Sequence, residues 1–338
     1  MTEFPRCSTL RRTARRRQLL LLLGGAAAVL AALPGTAAAQ DNYPSRPIRV
    51  LVAFPAGGSA DIVARFVTHA MTQQTGWNFV VDNRPGAGGN IAFDAASNAE
   101  PDGYTLVFST PGVVINPHIY SKVPYNWDAF QPIGLVGDAP LVLMVNPKLP
   151  IRSIADLQAA AKANPDSLRF ASSGNGSSSH LAMDVLRTMG QLSYIHVPYR
   201  GGGPAMNDTL AGTTDLTMQP IAESLANIRA DRLRALGQTG LRRSPMAPDI
   251  PTVAESGIKD YAVTTWYVAL APAKTPQPIV DKLYAAMDAA LKTPDLKDQL
   301  QKAGVQVINA GPQKTAEFMR QEYAKWAKAI AASGTRLE

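Results

Sequence analysis

Three stretches of this sequence are rich in the residues that hold an anion without a formal cation. The first is Pro55-Ala56-Gly57-Gly58-Ser59-Ala60-Asp61. The second is Ser172-Ser173-Gly174-Asn175-Gly176-Ser177-Ser178-Ser179-His180, and the third Tyr199-Arg200-Gly201-Gly202-Gly203-Pro204. Glycine lets a bound group approach the backbone closely, and serine hydroxyls rotate to donate where needed. Each stretch follows an apolar run and precedes a segment of helical periodicity. Each would therefore end at a helix amino terminus, where unpaired N–H groups and the helix dipole favour negative charge. The chemistry this suits is capture of a small carboxylate or similar anion, chiefly by neutral donors. For any one loop the alternative is an ordinary strand-to-helix turn. The first two loops lie far apart in sequence, and together they favour binding across two domains.

The elements that must position these loops are legible in the hydrophobic patterning. Strands are expected at Pro47–Ala53, Asn78–Asp82, Tyr104–Ser109, Leu141–Val145, Leu168–Ala171, Tyr194–Val197, Asp215–Met218, Leu233–Leu236 and Trp266–Leu270. These are short apolar runs rich in β-branched residues and bounded by turn residues. Helices are expected at Ala60–Gln74, Ser153–Ala163 with Ser153 as N-cap, Ser179–Met189, Pro204–Ala211, Pro278–Lys292 and Pro312–Ala332. Pro204 and Pro312 each suit a first helical position. The alternation predicts an α/β fold with mainly parallel sheets, and ligands in such folds bind at the carboxyl ends of strands.

The chain has 338 residues, one cysteine and a formal net charge of +7, with a mean hydropathy of −0.06. Much of that charge sits in one place. Arg11, Arg12, Arg15, Arg16 and Arg17 precede an apolar run, Leu19 to Leu33, which Pro34 and Gly35 break before Ala37-Ala38-Ala39. This reads as an export signal over residues 1–39, cleaved before Gln40. The alternative is an uncleaved anchor helix, although the run is short for a bilayer span. Arg16-Arg17-Gln18-Leu19-Leu20 also fits a twin-arginine signal, so the general and twin-arginine routes both stand. Loss of Arg6, Glu3 and the five-arginine block brings the net charge from +7 to about +2. A nucleic-acid partner then loses its main electrostatic support, since such binding rests on a clustered basic face. Cys7 leaves as well, which excludes a disulfide, a cysteine nucleophile and an Fe–S cluster from the mature chain.

The sequence also resembles a known family, the substrate-binding proteins of tripartite tricarboxylate transporters, or Bug family of periplasmic solute receptors. The resemblance runs from about Tyr43 to Ala332. It rests on Tyr43-Pro44, Phe54-Pro55-Ala56-Gly57-Gly58-Ser59-Ala60-Asp61, Asn83-Arg84-Pro85-Gly86-Ala87-Gly88-Gly89-Asn90 and Pro101-Asp102-Gly103-Tyr104-Thr105-Leu106. Ser172-Ser173-Gly174-Asn175-Gly176-Ser177, His196-Val197-Pro198-Tyr199, Leu233-Arg234-Ala235-Leu236 and Pro251-Thr252-Val253-Ala254-Glu255-Ser256-Gly257 continue it in order. The resemblance implies a two-lobed periplasmic binding protein fold with two hinge crossovers, near Leu141–Val145 and Thr264–Leu270. Lobe one would comprise 41–141 plus 266–338, and lobe two 142–265. It implies further that the Ala56–Ser59 and Ser173–Ser177 loops grip a ligand carboxylate, partly through ordered water.

The candidate ligand-binding set is Phe54, Ala56, Gly57, Gly58, Ser59, Asp61, Thr110, Ser173, Gly174, Asn175, Gly176, Ser177, Tyr199 and Gln219. Several of these have a local alternative. Asp61 in a first helical turn complements the dipole, whereas the resemblance implies a contact with a ligand amino group in some members. Thr110 is either a donor to ligand or a turn hydroxyl. His180 at a helix start is expected to be neutral and to pack. Arg84 reads as a turn residue or an ion-pair partner, and Trp266 and Tyr267 as hinge packing. Two positions depart from the family pattern. Met218-Gln219-Pro220 stands where Phe-Asp-Asn is frequent, so Gln219 offers a neutral amide. Trp266-Tyr267-Val268 stands where glycine is usual at the third place, so Val268 is expected to stiffen the hinge or narrow the cleft.

Enzyme signatures are missing from the sequence. Gly-x-Ser-x-Gly does not occur, and His69, His118, His180 and His196 show no metal-binding spacing. Neither a Gly-x-Gly-x-x-Gly fingerprint nor a Walker lysine follows the glycine loops. No cofactor and no metal are expected. The expected role is a monomeric periplasmic receptor that delivers a small organic carboxylate to a large and a small integral membrane subunit. A receptor that signals to a membrane sensor without moving solute is the alternative. An exported hydrolase is a third reading, which predicts turnover of the ligand.

Overall fold

The computed structural model describes residues 43–334 and 336. The expected export signal and its expected cleavage site lie outside the described residues. Strand β1 (Ile48–Val52) is buried at every position but Arg49, and it pairs in parallel with β2 (Phe79–Asn83) on one side and β3 (Thr105–Ser109) on the other. A second trio repeats the plan. In it β5 (Arg169–Ser172) lies in parallel between β6 (Ile195–Pro198) and β7 (Leu216–Pro220). In each trio the chain leaves the central strand for one neighbour and later returns on the other side. That makes the carboxyl ends of β1 and β5 topological switch points, where open α/β sheets form their crevices.

Two antiparallel strands, β4 (Phe130–Val145) and β9 (Thr264–Pro272), join the trios, giving the order β2-β1-β3-β9-β4-β7-β5-β6. Strand β4 pairs with β9 from Phe130 opposite Pro272 to Pro140 opposite Thr264. Its last five residues instead pair with β7 and with β8 (Arg234–Gln238). The chain thus crosses between trios along β4 and crosses back at the start of β9. Only the end of β4 is visible as an apolar run. Pro132, Gly134, Gly137 and Pro140 interrupt its first part, and its register with β9 shifts at Pro132/Gly134 and Leu135/Gly137. Strand β10 (Gln306–Ala310) was also hidden. It lies against β4 so closely that a Cβ on Gly137 would meet the Gln306 carbonyl at 2.2 Å.

The helices α1 (Ser59–Thr75), α4 (Ile154–Ala163), α5 (Ser178–Gly190), α6 (Gly202–Ala211), α8 (Gln277–Lys292) and α10 (Pro312–Ser333) stand within two residues of expectation. Ser153 caps α4 by accepting the Asp156 N–H at 3.0 Å. Four short helices were not anticipated: α2 (Asn90–Ser97), α3 (Gly112–Ile119), α7 (Ile221–Arg229) and α9 (Pro294–Lys302). Each has too few turns to show a clear period, and α3 carries Pro117 inside it. Among the described residues, no helix is long and apolar enough to cross a membrane.

The second crossing is packed from below. Trp266 and Tyr267 are both 1 % exposed. On α10, Glu322 accepts the indole N–H groups of both Trp266 and Trp326 at 3.1 Å, which ties that helix to β9. Val268 is fully buried in the same core, beside Leu135 and Leu270. It is absent from the cleft wall described below, so its methyl groups fill core rather than narrow the cleft.

Candidate functional site

The loop from β1 to α1 turns at Gly57, with φ +80°, and enters the helix at Gly58, with φ −73° and ψ 162°. No side chain caps α1. Its first-turn acid does something else. Asp61 is 3 % exposed and accepts from the Gly57 N–H at 2.9 Å, from Arg65 Nε at 2.9 Å and from Asn83 Nδ2 at 2.9 Å. Burial alone would raise its pKa, but the bonds from Arg65, Gly57 and Asn83 outweigh it and hold the carboxyl below the usual range. The Asp61 carboxylate is therefore spent on shaping the loop and fixing β2 to it.

The loop from β5 to α5 is shaped from beneath by two histidines. The Gly174 N–H donates to Ser172 Oγ at 3.1 Å, and Ser172 Oγ lies 2.6 Å from His196 Nε2. The Gly176 N–H donates to His180 Nδ1 at 3.2 Å. The two imidazoles stack with centroids 4.0 Å apart and 6° between planes. With Nδ1 accepting, His180 carries its proton on Nε2, 3.5 Å from Asp184 Oδ2. Asp184 also accepts from the Tyr194 hydroxyl at 2.8 Å and faces Arg187 at 3.6 Å. Ser177 caps α5 by accepting the His180 N–H at 3.2 Å. Gly174 has φ +121°, and a Cβ there would lie 2.9 Å from the Tyr199 carbonyl.

Burial pushes the His180 pKa down, and burial together with the stacked His180 pushes His196 down to about 4. Both folded values lie below the unfolded value near 6.5, so the unfolded chain binds more protons between these limits. The stabilisation is complete above about pH 6.5 and is lost as pH falls toward 4. A protonated His180 Nδ1 can no longer accept the Gly176 N–H, so the loop should loosen at the same time. Melting temperature and ligand affinity are both expected to fall between pH 6.5 and about 4, with a smaller fall in His196→Phe. A flat melting temperature from pH 7 to 5 would contradict this reading.

Both loops open on a cleft of about 800 Å³ between the two trios. On the β1 side its wall includes Phe54, Gly58, Ser59, Ala60, Thr110 and the glycine turn Gly86-Ala87-Gly88. Opposite stand Ser173, Asn175, Gly176, Ser177, Ser178, Ser179, Arg200, Gln219 and Glu223, with Leu141 and Thr265 of the crossing strands at the floor. Every one of these loops leaves the carboxyl end of a strand. The Ser59 side chain interacts with the buried Tyr267 hydroxyl, which links the α1 amino end to the second crossing. Ser179 is 2 % exposed, and its hydroxyl has no hydrogen-bond partner among the described residues. An unpaired buried hydroxyl costs about 1–3 kcal/mol, so a partner in the cleft would relieve a real penalty.

Of the residues expected to bind ligand, Phe54, Gly58, Ser59, Thr110, Ser173, Asn175, Gly176, Ser177 and Gln219 line this cleft. Five do not. Ala56 and Gly57 form the exposed crown of their loop. Asp61 points away from the cleft into the Arg65–Asn83 network, which is its local alternative. Gly174 permits a backbone turn rather than presenting a surface. Tyr199 donates its hydroxyl to Asp208, and burial with that neighbour raises its pKa to about 12. Arg84 pairs with Asp82 at 3.1 Å, as a turn residue would. Gln219 is fully buried and has both ends engaged: Oε1 accepts from Ser173 Oγ at 2.8 Å and Nε2 donates to Thr217 Oγ1 at 2.8 Å. Reading by residue type passed over Ser178, Ser179, Arg200, Glu223 and the Gly86–Gly88 turn. The serine run and the Gly-Ala-Gly-Gly turn were visible signals, whereas Glu223 had none.

Comparison with known proteins agrees with this geometry. The family described as Tripartite tricarboxylate transporter family receptor matches residues 63–335. A Pseudomonas sp. (strain P51) protein from the tcbD-tcbE intergenic region is 39% identical over 292 residues, which are 86% of this chain and 87% of that one. Among solved structures, Rpa4515 of R. palustris with adipate superposes with a TM-score of 0.79 at 31% identity, covering 87% of this chain and 99% of that one. The periplasmic binding protein BugD superposes with a TM-score of 0.77 at 33% identity, covering 88% and 100%. The fold is thus the two-lobed one of periplasmic binding proteins, and the matching family is one of receptors rather than enzymes.

Proposed function

This chain belongs to the tripartite tricarboxylate transporter receptor family, and we propose that it captures a small organic carboxylate in the cleft and hands it to an integral membrane transporter. The observation that supports this most is the pairing of α1 and α5. Their amino ends, one on each side of the cleft, present serine hydroxyls and N–H groups, and the Ser179 hydroxyl there has no partner among the described residues. Two helix dipoles and neutral donors favour one carboxylate at that point. The adipate held by Rpa4515 is a ligand of this chemical type.

The receptor would close as two lobes, residues 41–141 plus 266–338 and residues 142–265, hinged where β4 and β9 cross. An anion touching both α1 and α5 favours the closed state, because only that state makes both sets of contacts. With residues 1–39 as an export signal, the receptor would act in the periplasm, and we take it to work as a monomer. Its transporter would comprise a large and a small subunit. Uptake of labelled carboxylate by a strain lacking only this protein tests delivery. Lost uptake is expected. Unchanged uptake with a lost transcriptional response would support a signalling receptor instead.

A further inference from the structure

Ser59 is the first residue of α1 and lines the cleft, and no side chain caps that helix. Its hydroxyl is turned instead to Tyr267 on the second crossing strand, β9. Among the described residues, Ser59 is the side-chain hydrogen-bond partner of the Tyr267 hydroxyl. Tyr267 is 1 % exposed, and its ring stacks on Phe108 with centroids 6.4 Å apart and 25° between planes. Close packing of this kind fixes where the phenol oxygen stands. Burial pushes the Tyr267 pKa up to about 12 against the pull of the Ser59 bond, so the phenol keeps its proton at neutral pH. Of the two hydroxyls the phenol is the stronger acid and the better donor, and serine oxygen the better acceptor. A buried O–H without an acceptor is costly, which favours the same sense. With Tyr267 donating, the Ser59 proton is free to point into the cleft. Ser179 on the facing helix has no such partner and can turn either way.

We infer that Tyr267 is a positioning residue for ligand selection: its hydroxyl holds Ser59 as a donor toward the cleft, so that the α1 side takes a carboxylate oxygen and refuses the N–H of the matching carboxamide. This rests on the carboxylate-capture reading above and deepens it. A lone serine hydroxyl donates or accepts as its partner requires, and would tell an acid from its amide poorly. One whose oxygen already receives a proton from behind can offer only its own. The ring of Tyr267 serves the packing of the crossing strand, and its hydroxyl serves the site.

The test is calorimetric titration at pH 7 of refolded protein, stripped of co-purified solute, with succinate, glutarate, adipate and benzoate and with the amides succinamide, glutaramide, adipamide and benzamide. Tyr267→Phe keeps the ring on Phe108, and its ligand-free melt reports the packing separately. It should weaken the tightest-binding acid about tenfold, the range of a hydrogen bond to a charged group, and leave the amide unchanged or tighter. Ser59→Ala should weaken that acid about as much. Adding Tyr267→Phe to Ser59→Ala should then cost less than about twofold more, a coupling that a purely structural tyrosine would not show. This cycle decides where the amide binds too weakly to measure. Acid binding by Tyr267→Phe within about twofold of the unchanged protein overturns the inference while carboxylate capture stands. A loss that persists in full beside Ser59→Ala, or an amide weakened as much as its acid, overturns it too. No binding of any acid by the unchanged protein overturns both readings.

Discussion

Gly58→Val should weaken ligand binding by at least about 100-fold, equivalent to roughly 2.7 kcal/mol, and leave the ligand-free protein folded. Gly58 lines the cleft at the amino end of α1. Its φ of −73° and ψ of 162° are open to any residue, so valine meets no backbone strain there. An added Cβ would sit 3.2 Å from the Pro55 carbonyl, a close contact that a small shift of the loop relieves. The branched methyls would then occupy the anion's approach to the α1 N–H groups. The check is titration beside a ligand-free melt. Undiminished affinity in a folded variant would remove α1 from the clamp. Gly174→Val differs in mechanism. At φ +121° and 2.9 Å from the Tyr199 carbonyl it strains the loop itself, so it should lower both affinity and melting temperature.

Asp61→Ala is expected to cost about 2–4 kcal/mol of stability in the absence of any ligand, because the Gly57 N–H and the Asn83 amide lose their acceptor. For a chain of this size that is a fall of roughly 3–6 °C in melting temperature. Affinity should drop for aminated and plain acids alike, since the loop and not an amine contact is lost. An unchanged ligand-free melt, with loss confined to aminated acids, would place Asp61 in the binding site after all.

How far the sequence carries toward this account depends on what each feature needs. The β1, β5 and β7 strands and the Gly58 and Gly174 loops are legible because apolar runs and glycine clusters are local signals. The first part of β4 is not, since Pro132, Gly134, Gly137 and Pro140 are tolerated only where β9 and β10 lie against it. The same division runs through the site. Ser173 and Ser177 follow from residue type at a loop. Whether Asp61 faces ligand or Arg65 depends on Asn83, 22 residues away at the end of the next element. Gln219 likewise looks like a free amide until Ser173 and Thr217 take up its two ends. Val268 departs from the family pattern at a place where its side chain turns into the core.

The central claim is that the α1 and α5 amino ends together hold a carboxylate. It is tested most directly by unfolding and refolding residues 40–338 to strip bound solute, then melting the protein against carboxylic acids, amino acids and neutral sugars. At a hundredfold excess over its dissociation constant, a ligand of the folded state should add about 2.7 kcal/mol of stability. A clear rise with one class of carboxylate-bearing solute, absent in Gly58→Val, is the predicted result. No rise with any acid, or a rise with neutral sugars alone, would contradict it.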